Sequence, residues 1–174
     1  KKFTVESEVF TKLVVGDALR LNQILNNLLS NASKFTKKGD TISVSLKQAG
    51  RESKNYIFIV EDTGIGMSSE FLPKLFTPYE RENRFGAGAA VGNGLGMAIV
   101  KNLVSQKGGQ ITVESKLSEG TKFVVTLPFA PEEKKTEKEL KSGNMGCLSG
   151  LHILIVEDNE LNRELICELI SDLG

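Results

Sequence analysis

The sequence has little histidine and cysteine, and it has no tryptophan. Its 174 residues include one histidine, His152, and two cysteines, Cys147 and Cys167. A single histidine excludes metal sites built from several histidines. The two cysteines form neither a disulfide framework nor a metal-ligand spacing, so we expect a reducing compartment and a cytoplasmic location.

Neither sign of charge predominates, and no long apolar run is present. Lys plus Arg and Asp plus Glu each number 22, so the formal net charge is zero. Proteins that bind polyanions normally carry a basic surplus, so we expect no nucleic-acid partner. The longest apolar runs, such as residues 153–156, are too short to cross a bilayer. We therefore expect no direct membrane contact by this chain, which leaves any anchor in the cell membrane to other parts of a full-length protein.

What is present is typical of a globular α+β domain over residues 1–129. Apolar residues at helical spacing follow Asp17, a predicted N-cap. Residues 56–60 are continuously apolar, which predicts a central strand buried on both faces, whereas the other predicted strands alternate. The predicted elements are a helix from Asp17 to Phe35, strands around 42–46, 56–60, 111–113 and 123–127, a second helix at about 95–106, and a hairpin turn at 117–120.

The composition changes after residue 129. Residues 131–141 are nearly all Glu, Lys and Thr, and three glycines follow by residue 150. We interpret residues 130–150 as a linker that is charged first and then contains glycine. Residues 151–174 begin a new unit with a short apolar strand, an acidic pair and an amphipathic helix.

A polar stripe runs along the first predicted helix. Gln23, Asn27, Asn31 and Lys34 are spaced by four, four and three residues, so they share one helix face. The carbonyl oxygen of asparagine is a hard ligand suited to Mg²⁺, and lysine binds phosphate as a point charge. The alternative is a polar face that is merely solvated.

Two glycine-containing segments are further candidate parts of a site. Asp62 ends the central strand in DTGIG at 62–66, where its carboxylate can accept a hydrogen bond from an amine such as adenine N6. Residues 86–96 contain five glycines and end at a helix N-terminus, where backbone N–H groups attract anions. A strand-ending turn and a disordered linker are the simpler interpretations. No GxxxxGK[ST] motif is present, and the glycines do not follow a strand as in a dinucleotide-binding fold.

The order of these segments resembles the catalytic and ATP-binding domain of sensor histidine kinases, in the superfamily that includes gyrase, heat-shock-90 and MutL. NLLSNASKF at 27–35 resembles the N box and DTGIG at 62–66 the first glycine box. FTPY at 76–79 with Arg81 resembles the F box, and GNGLG at 92–96 the second glycine box, although Asn93 replaces the usual Ser or Thr. The resemblance implies a two-layer α/β sandwich (the Bergerat fold) with a mixed, mainly antiparallel sheet and helices on one face.

The resemblance also implies roles for individual residues. Asn31 would be the Mg²⁺ ligand, supported by Asn27, and Lys34 would touch the phosphates. Asp62 would take adenine N6, and Arg81 would reach the transferring phosphate. The implied catalytic set is Asn27, Asn31, Lys34 and Arg81, and the implied ATP-binding set is Asn31, Lys34, Phe35, Asp62, Gly64, Ile65, Gly66, Tyr79, Gly92, Gly94, Leu95 and Gly96.

The implied activity is transfer of the γ-phosphate of Mg-ATP to a histidine on a separate dimerisation domain, upstream in the same homodimeric full-length protein. His152 has no acidic residue after it and no predicted helix around it, so we do not expect it to be the acceptor. Hydrolytic ATPases of the superfamily place a glutamate where this chain has Asn27, and a neutral amide cannot act as a general base. The alternatives are such an ATPase or a nucleotide-sensing docking module without catalysis.

The last segment resembles a second family. Residues 153–156, followed by Glu157 and Asp158, are similar to the first strand and Mg²⁺-holding acidic pair of a response-regulator receiver domain. The phosphate-accepting aspartate of that family comes later than residue 174. We expect this fragment to hold no functional Mg²⁺, and the two resemblances together imply a hybrid sensor kinase with a receiver domain downstream.

Overall fold

The computed structural model describes residues 1–82 and 93–132. The expectations for residues 83–92, including Gly92 and most of the second glycine-containing segment before the helix, lie outside the described residues. So do those for His152 and for the parts of the linker and the receiver-like fragment in residues 133–174. Within the described part, Lys1–Glu132 is one compact unit.

The described elements form two layers, a sheet and a layer of helices, as the family resemblance implies. Five strands form the main sheet in the order β1-β3-β4-β6-β5; β1 is parallel to β3, and the other neighbours are antiparallel. β2 and β7 form a separate antiparallel pair. In chain order the elements are β1 (Lys2–Glu8), β2 (Val14–Val15), α1 (Ala18–Phe35), β3 (Thr41–Gln48), β4 (Asn55–Asp62), a 3₁₀ helix (Leu72–Lys74), α2 (Gly96–Gln106), β5 (Gln110–Lys116), β6 (Gly120–Pro128) and β7 (Ala130–Pro131).

α1 begins where the sequence predicts. The Asp17 side chain accepts a hydrogen bond from the Arg20 backbone N–H at 3.0 Å, which satisfies one of the free amides of the first turn. The helix ends before Thr36, whose backbone is extended and whose hydroxyl donates to the Ala32 carbonyl oxygen at 2.8 Å. The inner face of the helix is buried at three positions one turn apart, Ile24, Leu28 and Ala32.

α1 and α2 run antiparallel to each other. Asp17, just before α1, forms an ion pair with Lys107, just after α2, at 3.4 Å. Towards the other end, Asn31 Nδ2 donates to Met97 Sδ at 3.2 Å. Gly108 follows α2 with a φ of 68°, the left-handed conformation that commonly ends a helix. The N-terminus of α2 therefore faces the half of α1 that carries the predicted metal ligand.

Only one face of the main sheet is covered by these helices. In β4, Tyr56 and Val60 are buried, whereas Ile57 and Ile59 on the opposite face are only half-buried. The prediction that this strand is buried on both faces is therefore wrong, because both helices pack on the same side. Ile59 is the cross-strand partner of Val124, and such apolar pairs stabilise an open sheet face without a covering layer.

The sequence does not predict β1, β2 and β7. β7 consists of residues 130 and 131, which were predicted to begin the linker, and it pairs with β2 at Val14–Val15, so the linker cannot begin before residue 132. A buried glutamine, Gln48, fixes the segment after β1: its Oε1 accepts hydrogen bonds from the N–H groups of Phe10 and Thr11, both at 2.9 Å. Among the described residues, no helix combines the length and hydrophobicity needed to span a membrane.

Candidate functional site

A cleft of about 400 Å³ lies between α1, the N-terminus of α2 and the carboxyl end of β4. Residues from all four predicted motifs line it, although they are up to about 70 positions apart in the sequence. Of the predicted site residues, ten line the cleft: Asn27, Asn31, Lys34, Phe35, Asp62, Ile65, Gly66, Arg81, Gly94 and Gly96.

The two asparagines of α1 are oriented by the protein. Asn27 Nδ2 donates to the Gln23 carbonyl oxygen at 2.8 Å, and Asn31 Nδ2 donates to the thioether of Met97 at 3.2 Å. Neither partner can donate a hydrogen bond, so each must face an NH₂ group. Both carbonyl oxygens are consequently left for a cation or for a ligand that donates hydrogen bonds.

The start of α2 packs closely against Asn27. A Cβ atom at Gly96 would lie only 2.7 Å from Asn27 Oδ1, so a side chain there would displace the amide. Backbone N–H groups of the first helical turn have no partner within the helix and carry partial positive charge. This end of the cleft therefore combines amide oxygens with the N-terminus of α2, which is a suitable environment for phosphate and its counterion.

Lys34 and Phe35 lie on the same wall of the cleft. The Lys34 Nζ atom is 5.1 Å from the centroid of the Phe35 ring, within the range of a cation–π contact. Phe35 is 36% exposed, so its ring is accessible to a flat ligand. The last turn of α1 thus presents a positive charge and an aromatic face together.

Asp62 lies at the opposite end of the cleft from the start of α2. The residue is 6% exposed, and Oδ1 accepts a hydrogen bond from the Gly64 N–H at 2.9 Å. Burial raises the pKa of the Asp62 carboxyl above its ordinary value. The negative charges of Asp40 and Glu61 raise the pKa further. The hydrogen bonds from the backbone N–H groups of Gly64 and Thr121 lower it, but each by less than burial raises it. A buried carboxylate facing a cavity is a strong and selective hydrogen-bond acceptor.

The first glycine box lies between α1 and the β5–β6 turn and contacts both. The Ile65 N–H donates to the Phe35 carbonyl oxygen at 3.1 Å, and the Ile65 carbonyl accepts from the Ser118 N–H at 2.9 Å. Gly66 has a φ of 60°, and a Cβ there would lie 1.9 Å from the Lys116 carbonyl oxygen. Only glycine fits this close backbone contact.

Of the predicted site residues that the structure describes, three do not line the cleft. Gly64 supports it through the hydrogen bond to Asp62. Tyr79 is 73% exposed, has a φ of 67°, and donates its N–H to the Gly94 carbonyl oxygen at 3.1 Å. It therefore holds the F box to the second glycine box instead of lining the cavity. Leu95 is the residue before α2, and Gly92 is not described.

No sequence motif indicated the apolar wall of the cleft. Met67 and Phe71 follow the first glycine box, Met97 is in the first turn of α2, and Phe123 is on β6. The alternation of β6 indicated that Phe123 is buried, but a linear pattern does not show which buried residues border a cavity. Further lining residues that were missed are Ser30, Ala32, Leu75, Glu80, Glu82 and Thr121.

Comparison with known proteins agrees with this arrangement. Residues 16–131 match the family model for histidine kinase-, DNA gyrase B- and HSP90-like ATPases. The autoinducer 2 sensor kinase/phosphatase LuxQ of Vibrio vulnificus strain YJ016 is 40% identical over 155 residues, which are 86% of this chain and 18% of LuxQ. The aerobic respiration control sensor protein ArcB of Escherichia coli K12 is 35% identical over 162 residues, 92% of this chain and 20% of ArcB. The chain thus spans only a small part of these relatives.

Solved structures show the same fold. The mycobacterial sensor histidine kinase MprB has a TM-score of 0.60 and 28% identity, covering 74% of this chain and 83% of MprB. Full-length ShkA, solved in complex with AMPPNP, has a TM-score of 0.59 and 26% identity, covering 99% of this chain and 34% of ShkA. Fold, motif positions and matched residues lead to one assignment: the chain belongs to the family of histidine kinase-, DNA gyrase B- and HSP90-like ATPases.

Proposed function

We propose that this domain binds Mg-ATP and donates the γ-phosphate to a histidine on a separate dimerisation domain in two-component signalling. The observation that carries the proposal is the polarity of the cleft. One end has a buried carboxylate, Asp62, and the other has two oriented amides and a helix N-terminus, while Lys34 adds a positive charge to the lining. An adenine with an exocyclic amine suits the first end, and a triphosphate suits the second.

Mg²⁺ fits this site as a counterion of the nucleotide. The described residues contain no group of three acidic, histidine or cysteine side chains that could hold a metal alone. The oriented carbonyl oxygen of Asn31 is a suitable ligand, and Asn27 supports it from the preceding turn. Mg²⁺ held there would supply charge neutralisation at the phosphates.

The reaction requires little covalent chemistry from these residues. The bond between the γ-phosphorus and the β–γ bridging oxygen breaks, the electron pair leaves on ADP, and a P–N bond forms to the acceptor imidazole, which releases its N–H proton. Lys34, Arg81 and the N–H groups at the start of α2 would position the phosphates and compensate their charge. We place the acceptor outside this chain, in an upstream domain of a homodimeric full-length protein.

The hydrolytic alternative is disfavoured by the residue at position 27. The Asn27 amide already donates to the Gln23 carbonyl oxygen, and a neutral amide cannot remove a proton from water. A docking module that binds nucleotide without catalysis would have the same cleft. Phosphate transfer to a supplied acceptor domain separates it from a kinase.

Calorimetry with ATP, ADP and GTP tests the proposal. We expect ATP and ADP to bind and GTP to bind much more weakly, because guanine presents a carbonyl oxygen where adenine presents the amine. Asp62→Asn and Asn31→Asp should each weaken ATP binding by about 1–3 kcal/mol, the usual cost of losing a polar contact in a buried site. Equal affinity for ATP and GTP would contradict the assigned contact of Asp62.

We propose roles for the remainder of the chain as well. Residues 133–150 would continue a linker, and residues 151–174 would be the first part of a receiver domain, so that a downstream receiver is a second partner. The support is the sequence motif that ends in Glu157 and Asp158. We place the domain in the cytoplasm, where ATP is available. Comparing the solution mass of the full chain with that of residues 1–132 tests whether the fragment associates with other copies.

A further inference from the structure

A second groove adjoins the nucleotide cleft along the N-terminal half of α1. Asn27 and Ser30 line both the groove and the cleft, so the two are continuous at those residues. The contact point is the amide beside Gly96, at the end that we assign to the phosphates. The groove is lined by Leu19, Arg20, Asn22, Gln23, Asn26, Asn27 and Ser30.

A hydrogen bond joins the side chains of Arg20 and Gln23 in this groove. The Arg20 Nη1 atom donates to Gln23 Oε1 at 3.1 Å. Because a guanidinium can only donate, Gln23 turns its oxygen towards Arg20 and keeps its NH₂ group for another acceptor. Among the described residues that line the groove, Arg20 is the one with a charge. The groove therefore presents hydrogen-bond donors and one positive charge.

Gln23 does not line the nucleotide cleft, although it belongs to the same polar stripe as Asn27 and Asn31. Its backbone carbonyl holds the Asn27 amide, but its half-buried side chain lies in the groove. A nucleotide in the cleft does not explain the polar groups of the groove. They are accessible to a second ligand that reaches the phosphate end from outside.

We propose that the groove receives the phosphate-accepting domain and that Arg20 binds a carboxylate of that domain. This inference rests on the proposed function, since an acceptor imidazole must approach the γ-phosphate from outside the cleft. Arg20 and Asn27 are seven positions apart, which is about 10 Å along the axis of α1. The recognised carboxylate should lie at roughly that distance from the accepting nitrogen, about two helical turns away if both are on one helix.

Steady-state transfer from ATP to the separately supplied dimerisation domain of the full-length kinase tests this, using the 174-residue chain. The variants are Arg20→Ala and Arg20→Glu, with Arg51→Ala as the matched control. The cap at Asp17 uses the backbone N–H of Arg20, so it survives both substitutions. Arg51 is an exposed arginine in the β3–β4 turn, over the Phe10 ring, and it lines neither the groove nor the cleft.

For Arg20→Ala we expect the KM for the acceptor domain to rise roughly two- to fivefold, as for loss of an exposed ion pair, and more for Arg20→Glu. The kcat, the calorimetric affinity for ATP and the control should be unchanged. Added salt should raise the acceptor KM of the unsubstituted chain more than that of Arg20→Ala.

Two outcomes overturn the inference alone: an unchanged acceptor KM in Arg20→Glu with ATP binding intact, or an effect confined to ATP affinity. If the unsubstituted chain binds no ATP, or transfers no phosphate, the proposed function fails and the inference falls with it. Measuring ATP binding and transfer first in the unsubstituted chain therefore distinguishes the two failures.

Discussion

Asp62 is the residue whose environment makes the sharpest prediction. Its pKa is raised, first by burial, so it becomes protonated at a higher pH than an ordinary aspartate. A protonated carboxyl is a poorer acceptor for the adenine amine. We expect affinity for adenosine, which carries no phosphate, to fall as pH falls through the raised pKa of Asp62. Calorimetry at several pH values measures this, and Asp62→Asn should lose the dependence.

The stability of the unliganded domain should change with pH in the opposite direction to the adenosine affinity. The folded state binds a proton at Asp62 more tightly than the unfolded state, so the contribution of this residue to the free energy of unfolding declines as pH rises through that window. Urea unfolding of the parent and Asp62→Asn chains isolates the contribution as a difference. An equal pH dependence in the two chains would show that Asp62 does not titrate in this window.

At the scale of elements, the close contact between the first glycine box and the β5–β6 turn can be tested with two glycines. Gly66 and Gly108 both have positive φ, 60° and 68°, but a Cβ at Gly66 would collide with a backbone carbonyl, whereas a Cβ at Gly108 has nothing within 4 Å. Gly108→Ala should cost about 1–2 kcal/mol, the penalty for left-handed backbone. Gly66→Ala should cost more and should also weaken ATP binding.

Gly108→Ala is thus the control for the effect of backbone conformation alone. Urea midpoints measure the stability of each variant, and calorimetry measures its affinity for ATP. If both variants lose the same stability and both bind ATP normally, the contact between the glycine box and the turn is not important for the site.

The sequence predicts elements whose determinants are local. The Asp17 cap, the apolar face of α1, the alternation of β6 and the glycine after α2 each depend on residues within a few positions of one another. β1 has only a short local pattern, the alternation of Phe3 and Val5, which are 57% and 67% exposed, and it pairs in parallel with β3. A parallel edge strand of this kind is defined by a distant partner, which no local pattern contains.

The same limit applies to the candidate site: local sequence motifs indicate some of its residues, and residues that packing brings to the cleft are not indicated. Polar residues and glycines in motifs, such as Asn31 and Gly66, are recognisable because their chemistry is unusual at those positions. The apolar wall formed by Phe71 and Met97 consists of residues that would be ordinary in any core. Their place at a cavity results from packing between elements, which spacing along the chain does not specify.

At the scale of the whole molecule, the compact unit ends after β7. Phe129 packs edge-on against Tyr56, with ring centroids 5.6 Å apart, and its ring fills the space beside Gly16. We expect a chain of residues 1–132 to keep the stability and ATP affinity of the domain. A chain of residues 1–128 should lose roughly 2–3 kcal/mol, less than a fully buried phenylalanine would cost because Phe129 is half-exposed.

Urea unfolding followed at the far-ultraviolet helical signal compares the two truncated chains. Phe129→Leu in the longer chain is a milder control that keeps β7 while removing the aromatic contact. If the chain of residues 1–128 is as stable as that of residues 1–132, the pairing of β2 with β7 contributes nothing to the fold.

From the position of the β2–β7 pair we also expect a particular response of the domain to mechanical load. The compact unit ends at Glu132, whose N–H donates to the Leu13 carbonyl oxygen at 3.1 Å, and the preceding Pro131 pairs with Val14. Tension on the chain beyond this point is therefore borne first by a two-residue ladder and not by the five-stranded sheet. The strand that resists this tension ends two residues before Asp17, the N-cap of the helix that carries Asn27. A pull on the outgoing chain thus acts close to the beginning of that helix before it strains the rest of the domain.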